Sequence, residues 1–267
     1  MPLFAVHISA DVLSGPCMLL GFVALVGFLA VGLFRLHEDE VARIGLLGAA
    51  FFVASQIHVS LGPTSVHLLL TGLVGMILGR RACVAIPVGV TLQAALLGHG
   101  SMATIGVNSC VMIVPTLLAR PMFQALMHGW RMRLGDGFLA IACLLFPLSI
   151  LIAGPVVFSA RRVHQRMNLT TAFDAGFLVG AATVFLTSLL NSLVLAFGGV
   201  QDWTAVAILS LAAHLPVALI EGVILGTVVD VLMKVKPALL MPAAVTESFT
   251  PPEISHPAAL PTAPAPR

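Results

Sequence analysis

The sequence is short of charge. Of its 267 residues, 13 are Lys or Arg and 11 are Asp or Glu, so that 9% are charged. In soluble globular domains roughly a quarter of all residues are charged. Hydrophobic residues make up 59% of the chain, and the mean hydropathy is +1.07. This composition excludes a soluble enzyme, a disordered chain and a fibre, and it indicates a polytopic helical membrane protein.

Other absences narrow the function further. The chain has no Tyr and two Trp, and its four Cys form no CxxC pair, so we expect buried thiols and no thiolate metal site. HExxH, GxSxG and P-loop motifs are missing, which argues against a metalloprotease, a serine hydrolase and a Walker ATPase. No Lys/Arg cluster is dense enough to indicate nucleic acid. The first residues lack a basic segment ahead of an apolar run, so no cleavable signal peptide is expected.

What the chain does have is a series of long apolar runs, which are typical of membrane helices. About 20 apolar residues are needed to cross a bilayer as a helix. We predict an all-α membrane bundle of about seven transmembrane helices, the third of them short. The predicted spans are Pro16–Phe34, Ile44–Ile57, Val66–Leu78, Ala82–Leu97, Ile105–Leu126, Ala172–Phe197 and Thr204–Val235.

Basic residues predict the orientation of the bundle, because Lys and Arg are enriched in cytoplasmic loops. They follow the first, third, fifth and last spans, whereas the alternate loops 58–65 and 98–104 carry no Lys, Arg, Asp or Glu. The N-terminus is therefore predicted to lie outside and the C-terminus in the cytoplasm. The protein is expected in the inner (plasma) membrane as a multi-pass chain.

One further apolar run, 138–160, disturbs this count. Basic residues flank it on both sides, and Pro147, Gly154 and Pro155 interrupt it. We interpret it as an extra apolar insertion in a cytoplasmic loop; an eighth span is the alternative, and it would place Lys234 and Lys236 outside. Residues 1–236 are predicted to form one membrane domain. Residues 237–267 are rich in Pro and Ala and are predicted to form a disordered tail.

Histidine is the informative residue type. Five of the nine histidines fall on the predicted outer side or in the outer half of the bundle: His7, His58, His67, His99 and His214. A membrane protein with so little charge has few uses for clustered imidazoles other than a metal or proton site. The alternative for each residue alone is a solvated loop histidine.

Four blocks of the sequence resemble one family. They are HI with LS (residues 7–14), QIHVSLGPTSVHLLLTG (56–72), QAALLGHGSMATIGVN (93–108) and AHLPVALIEG (213–222). Taken in this order they are similar to the CbiM/NikM family, the substrate-binding membrane subunit (S-component) of energy-coupling-factor cobalt/nickel transporters. The resemblance implies a seven-helix bundle with its N-terminus outside and a metal site near the outer face.

The resemblance also implies the ligands. In the family, a terminal amine, the amide nitrogen of a His at the second position and its imidazole form three corners of a square, and a second imidazole completes it. By position, the two imidazoles are His7 and His67. Such a nitrogen set suits Ni(II) and Co(II), whereas Mg and Ca prefer oxygen.

This sequence departs from the family pattern because five extra residues precede the His. Three interpretations follow. The active chain starts at the position of Val6, the first six residues are trimmed, or His58 replaces the lost amine. His99 is a candidate for orienting a ligand or replacing one. Asn108, His214 and Glu221 are candidates for support around the site, with Glu221 expected to face the bundle interior.

The predicted function is metal capture for import of Ni(II) or Co(II), with no organic cofactor and no enzymatic activity of its own. The resemblance implies a transmembrane coupling subunit, two ATPase subunits and, in some systems, a small accessory membrane subunit. An S-component for a vitamin or another small solute is the alternative. A membrane metalloenzyme built on a His site is the alternative from a different class. The sequence does not decide between nickel and cobalt.

Overall fold

The computed structural model describes residues 8–61, 64–128 and 171–241, without the side chains of 58–65 and of residue 128. The predicted ligand His7 and the apolar run 138–160 therefore lie outside the described residues. The interpretation of 138–160 as a non-spanning insertion therefore remains a prediction from the sequence.

The described chain is helical and membrane-like, as predicted. Its helices are α1 (Gly15–Leu33), α2 (Glu38–Ala54), α3 (Thr71–Leu78), α4 (Ala82–Leu97), α5 (Ile105–His128), α6 (Thr171–Gly198) and α7 (Thr204–Val235). Five helical segments of the described chain are long and apolar enough to cross a membrane. The five segments are α1, α3 together with α4, α5, α6 and α7, and α2 is not among them. The number of seven membrane crossings therefore remains a prediction.

The α3–α4 segment folds back on itself. As one straight helix, Thr71–Leu97 would separate its two ends by roughly 40 Å. The ring centroids of His67 and His99, which flank the segment, are 6.4 Å apart. The reversal lies at the 3₁₀ turn Gly79–Arg81, where Gly79 has a φ of +53° that favours glycine. Both histidines consequently lie at one end of the bundle and the turn lies at the other.

A β-hairpin precedes α3, and the sequence prediction missed it. Strands β1 (His58–Leu61) and β2 (Thr64–His67) pair antiparallel, with His58 opposite His67. The predicted third span from Val66 is therefore wrong at its start, because the helix begins at Thr71. The apolar run through Val66 looks helical by hydropathy, yet its β-branched residues pair across the hairpin.

Arg81 fastens the end of the bundle opposite the hairpin. Its buried guanidinium donates at 2.7, 2.9 and 2.6 Å to the carbonyls of Gly32, Phe34 and Arg35, where α1 ends. Nε and Nη2 donate to the two carboxylate oxygens of Glu40, in the first turn of α2, at 2.9 and 2.5 Å. From the sequence alone, Arg81 is one of the basic residues that follow the predicted third span. The structure makes it the joint between α1, α2 and the α3–α4 turn.

Helices α6 and α7 pack through glycine. A Cβ placed on Gly176 would lie 3.0 Å from the Cα of Gly226, and one on Gly180 would lie 3.1 Å from the Cα of Gly222. Small residues at four-residue spacing let two backbones approach closely where no hydrophobic effect drives them together. The GxxxG spacing of Gly176 and Gly180 thus serves packing inside the bundle.

Substitution of one seam glycine is expected to loosen this pair. In Gly180→Ala the new Cβ would meet the carbonyl oxygen of Glu221 at 2.8 Å, and backbone does not move aside cheaply. Overpacking of this kind costs about 1–3 kcal/mol. Gly27→Ala is the matched control, since nothing lies within 4 Å of that site on α1. Thermal unfolding in detergent should show a lower melting temperature for Gly180→Ala alone; equal melting temperatures would contradict the packing.

The segment predicted as a tail is described only at its start. Pro237–Leu239 form a 3₁₀ turn after α7, and the following Leu240 and Met241 are buried in a cluster with Phe123 and Met233. These first five residues therefore pack on the membrane domain. The rest of 237–267 lies outside the described part of the chain.

Candidate metal centre

Two histidines face each other at the hairpin end of the bundle. His67, the last residue of β2, is buried, and its ring lies within 8° of parallel to that of His99. His99 reaches this position because α4 ends at Gly98, whose φ of +65° stops the helix in the left-handed region. The His99 N–H then returns to the carbonyl of Gln93 at 3.2 Å. Two imidazoles that the sequence separates by 32 positions are thereby brought together.

The tautomer of His67 follows from its neighbour. Its Nδ1 lies 3.0 Å from the carbonyl oxygen of Leu68. A carbonyl oxygen only accepts, so this hydrogen bond requires the proton on Nδ1 and assigns the lone pair of the neutral ring to Nε2. A ring nitrogen held by a backbone carbonyl is the usual support of a metal-binding histidine.

A buried carboxylate holds the turn that follows His67. Glu221 of α7 is buried and accepts hydrogen bonds from the backbone N–H groups of Leu69 and Leu70, the latter at 2.9 Å to each oxygen. Leu70 has a φ of +49°, a left-handed value that is unusual for a branched side chain. The carboxylate thus satisfies free N–H groups at the start of α3 and fixes a strained turn. The sequence expected Glu221 to face the interior, and it does.

The first described residue, Ile8, is held by the start of α5. Its N–H donates to Oδ1 of Asn108 at 3.0 Å, and its carbonyl accepts from Nδ2 of the same side chain at 3.1 Å. The hydroxyl of Thr104 donates to the same carbonyl at 2.7 Å. The segment from His99 to Asn108 therefore carries the ring that faces His67 at one end and the grip on Ile8 at the other.

The N-terminal segment is fastened at a second point. Ser14 N–H donates to the carbonyl of Gly198 at 2.9 Å, and Val200 N–H donates to that of Val12 at 2.9 Å. Leu13 pairs with Gly199 as an isolated antiparallel bridge. Residues 8–14 are thus held by α5 at one end and by the α6–α7 loop at the other.

The remaining predicted residues differ in what the structure says of them. His214 is buried on the same face of α7 as Glu221, and its Nδ1 donates to the carbonyl of Ser210 at 2.6 Å on the preceding turn. His58 pairs with His67 in the backbone register. Within residues 8–61, 64–128 and 171–241, no three His, Cys, Asp or Glu side chains are grouped to hold a metal. His7, which precedes Ile8 in the sequence, lies outside the described residues.

Sequence reasoning missed two contributors. Thr104 lies one helical turn before Asn108 and donates to Ile8, and the carbonyl of Leu68 fixes the ring of His67. The four-residue spacing of Thr104 and Asn108 was a usable signal for a shared helix face. The carbonyl of Leu68 left no signal in the sequence, because its position depends on the left-handed turn at Leu70.

The family model described as cobalt uptake substrate-specific transmembrane region, CbiM, matches residues 7–156 and 147–239 of this chain. The two matches together cover most of the sequence. The chain belongs to the CbiM family. The resemblance found from the four sequence blocks is thereby confirmed, and with it the class of membrane transport component, which is not an enzyme class.

Relatives of this CbiM-family chain carry metal-transport names. A protein of Haemophilus influenzae that is named as a metal transport protein is 30% identical over 234 residues, which are 88% of this chain and 96% of that protein. A cobalt transport protein CbiM of Geobacter sulfurreducens is 28% identical over 263 residues, 94% of this chain and 66% of the relative.

The fold of this CbiM-family chain also has solved neighbours. A crystal structure of a transition metal transporter matches 91% of this chain and 98% of its own, with a TM-score of 0.56 and 20% identity. A truncated transition metal transporter matches 85% of this chain and 98% of its own, with a TM-score of 0.54 and 20% identity. At this identity the likeness establishes the fold, a multi-pass helical membrane protein.

Proposed function

We propose that this protein is the metal-capturing membrane subunit of an importer for Ni(II) or Co(II). The observation that carries the proposal is the buried ring of His67 beside His99. Among the described residues, the other buried charged or imidazole side chains are Arg81, His214 and Glu221. Imidazole nitrogen suits nickel and cobalt better than magnesium or calcium. The metal-transport names of the relatives point in the same direction.

The proposed ligands are His67 and His7. The Leu68 carbonyl leaves Nε2 of His67 as the coordinating nitrogen. His7 comes next to Ile8, whose backbone is held by Asn108 and Thr104. His99, at 6.4 Å from His67 between centroids, is placed to orient that ring or to take a position left by the N-terminal amine.

The proposed partners supply what this chain lacks. It carries no P-loop, so ATP hydrolysis for uptake would be carried out by other subunits. We propose an energy-coupling-factor assembly with a transmembrane coupling subunit and two ATPase subunits, and with a small accessory membrane subunit as a further member. Co-purification of the tagged chain with the products of neighbouring genes tests this assembly; recovery of the chain alone under mild solubilisation would contradict it.

Direct binding tests the central claim. The full chain, purified in detergent, is titrated calorimetrically with the chlorides of Ni(II), Co(II) and Mg(II). We expect saturable binding near one ion per chain for nickel or cobalt and none for magnesium, since the available donors are nitrogens. Absence of binding for both transition metals would refute the proposed function.

The position of the N-terminal amine is expected to matter. An amine, an amide and an imidazole form compact chelate rings when one residue precedes the histidine, and extra residues open the ring and remove the preorganisation. A chain that begins Met-His7-Ile8-Ser9 should bind Ni(II) at least as tightly as the chain that begins at Met1, with a d–d band typical of square-planar nitrogen ligation.

The matched control for this prediction carries three inserted residues. A chain that begins Met-Ala-Ala-Ala-His7-Ile8 holds the amine too far from the imidazole for compact chelate rings, so its affinity should be lower and its d–d band altered. Equal affinity and spectrum for both chains would show that the amine is not a ligand, and would move attention to His58 and His99 as the replacement donors.

A further inference from the structure

Asn108 forms two hydrogen bonds with the backbone of Ile8. The N–H of Ile8 donates to Oδ1 at 3.0 Å, and the carbonyl of Ile8 accepts from Nδ2 at 3.1 Å. An amide side chain presents a donor and an acceptor side by side, which matches the acceptor and donor of one residue's backbone. Both Asn108 and Ile8 are buried, with 4% of each exposed, so water does not replace these hydrogen bonds cheaply.

Thr104 completes the grip, which we call the Ile8 clamp and define as the side chains of Asn108 and Thr104. Thr104 Oγ1 lies 2.7 Å from the carbonyl oxygen of Ile8 and 3.2 Å from Nδ2 of Asn108. Its oxygen also caps Ser101, whose N–H approaches it at 3.2 Å. The clamp is thereby built into the first turn of α5 and into the loop that carries His99.

The clamp fixes the chain one peptide bond away from His7. Towards the other side, the segment is held again at Ser14 and Val12 by the α6–α7 loop. A segment fixed at both ends keeps its direction, so the conformational entropy of residues 8–14 is already lost in the folded protein. Preorganisation of a ligand-bearing segment raises affinity because less order has to be imposed on binding.

We propose that Asn108 is a positioning residue for metal capture, which sets where the nitrogens of His7 are presented to the ion held at His67. This inference rests on the proposed function. It assigns Asn108 a task at the N-terminal segment rather than general helix–helix hydrogen bonding. A positioning role also explains why the buried amide of Asn108 uses both its donor and its acceptor to bind one residue, Ile8.

The test compares three variants of the full chain in detergent. Asn108→Ala removes both hydrogen bonds to Ile8. Asn108→Asp, with its carboxyl ionised, keeps an acceptor for the Ile8 N–H and loses the donor to its carbonyl. Asn191→Ala is the control, since Asn191 is equally buried, with 2% exposed, but lies on α6. Each protein is titrated with Ni(II) and Co(II) chlorides, and the d–d spectrum and the melting temperature are recorded with and without metal.

We expect Asn108→Ala to weaken Ni(II) binding by about 10–100-fold, the range typical of residues that support metal ligands. Its d–d band should shift, because a displaced His7 changes the donor geometry. Asn108→Asp should fall between Asn108→Ala and wild type. Asn191→Ala should keep the wild-type affinity and band even if its metal-free melting temperature falls, and metal should raise that temperature as in wild type.

The outcomes separate the two proposals. If wild type binds metal and Asn108→Ala binds with the same affinity and the same band, the positioning role is wrong and the proposed function stands. If Asn191→Ala loses affinity as much as Asn108→Ala, the effect is general destabilisation and the positioning role is again wrong. If wild type binds neither metal, the proposed function fails and this inference fails with it.

Discussion

A His67→Ala protein is expected to lose metal binding almost completely. Residues that merely support a ligand change affinity by about 10–100-fold, so removal of the ligand itself should exceed about 100-fold. The ring of His67 is buried and oriented by the Leu68 carbonyl, and alanine leaves no nitrogen in its place. Calorimetric titration with Ni(II) and Co(II) measures the loss. Equal affinities for wild type and His67→Ala would end the assignment.

The control for this prediction is a histidine at the other end of the bundle. His37 precedes α2, and the hairpin with His67 follows it, so the 17 residues of α2 place roughly 25 Å between them. His37→Asn keeps a side chain that caps a helix start. Its affinity for both metals should equal that of wild type. His164→Ala, in the basic loop predicted to be cytoplasmic, should likewise leave binding unchanged.

An Arg81→Met protein is expected to lose a large part of its stability. The substitution removes five hydrogen bonds and leaves the carbonyls at the end of α1 without their donor. A buried carbonyl left without its donor costs about 1–3 kcal/mol, and Arg81 is the donor to three carbonyls. Thermal unfolding in detergent, followed by circular dichroism, should show a clearly lower melting temperature and a smaller folded yield.

Arg80→Met is the matched control for this stability prediction. Arg80 is the exposed neighbour of Arg81, and exposed charges contribute roughly 0–1 kcal/mol. Its melting temperature should stay near that of wild type. A melting temperature for Arg81→Met equal to that of Arg80→Met would show that the joint between α1 and α2 does not depend on the guanidinium.

The same ion pair gives the stability a dependence on pH. The hydrogen bond from Arg81 lowers the pKa of Glu40 from its usual 4.5 to about 2. A carboxyl with a lowered pKa in the folded state stabilises the fold fully above the unfolded value and loses that contribution as the pH falls through the folded one. The contribution of the Arg81–Glu40 pair to stability is therefore complete from neutral pH down to about pH 4.5, and it decreases towards pH 2. In Arg81→Met this part of the acid dependence should disappear.

The long helices could be predicted from the sequence because length and hydropathy decide them. The span predicted over Thr204–Val235 coincides with α7, and that over Pro16–Phe34 differs from α1 by one residue at each end. Prediction failed between His58 and Leu70. Residues 58–65 are predicted as a loop and residues 66–70 as the start of a helix. The observed conformation depends on pairing across the hairpin and on the carboxylate of Glu221, which is about 150 positions away in the sequence.

The candidate site was predictable in its residue types and not in its connections. Histidine in a bundle with little charge indicated His67 and His99, and the structure places their rings together. Asn108 and Glu221 were recognised as polar residues in an apolar setting, but their partners are backbone groups of Ile8, Leu69 and Leu70. A sequence shows side chains, and every residue carries the same backbone groups, so contacts of this kind leave no pattern to find.

The hydrogen bonds from the turn after His67 to Glu221 also fix the depth of that turn along α7, and with it the share of the membrane potential felt there. Helix α7 has 32 residues, or about 48 Å, and Glu221 lies about 26 Å from its start. With α7 centred on a hydrocarbon layer of about 30 Å, that turn lies near mid-depth and His67 lies between it and the surface. If the proposed site at His67 binds a divalent ion at that depth, the ion has crossed about a quarter to a half of the membrane potential. Each 100 mV would then change its binding free energy by about 1–2 kcal/mol. Affinity measured in detergent would accordingly underestimate capture in an energised membrane that is negative inside.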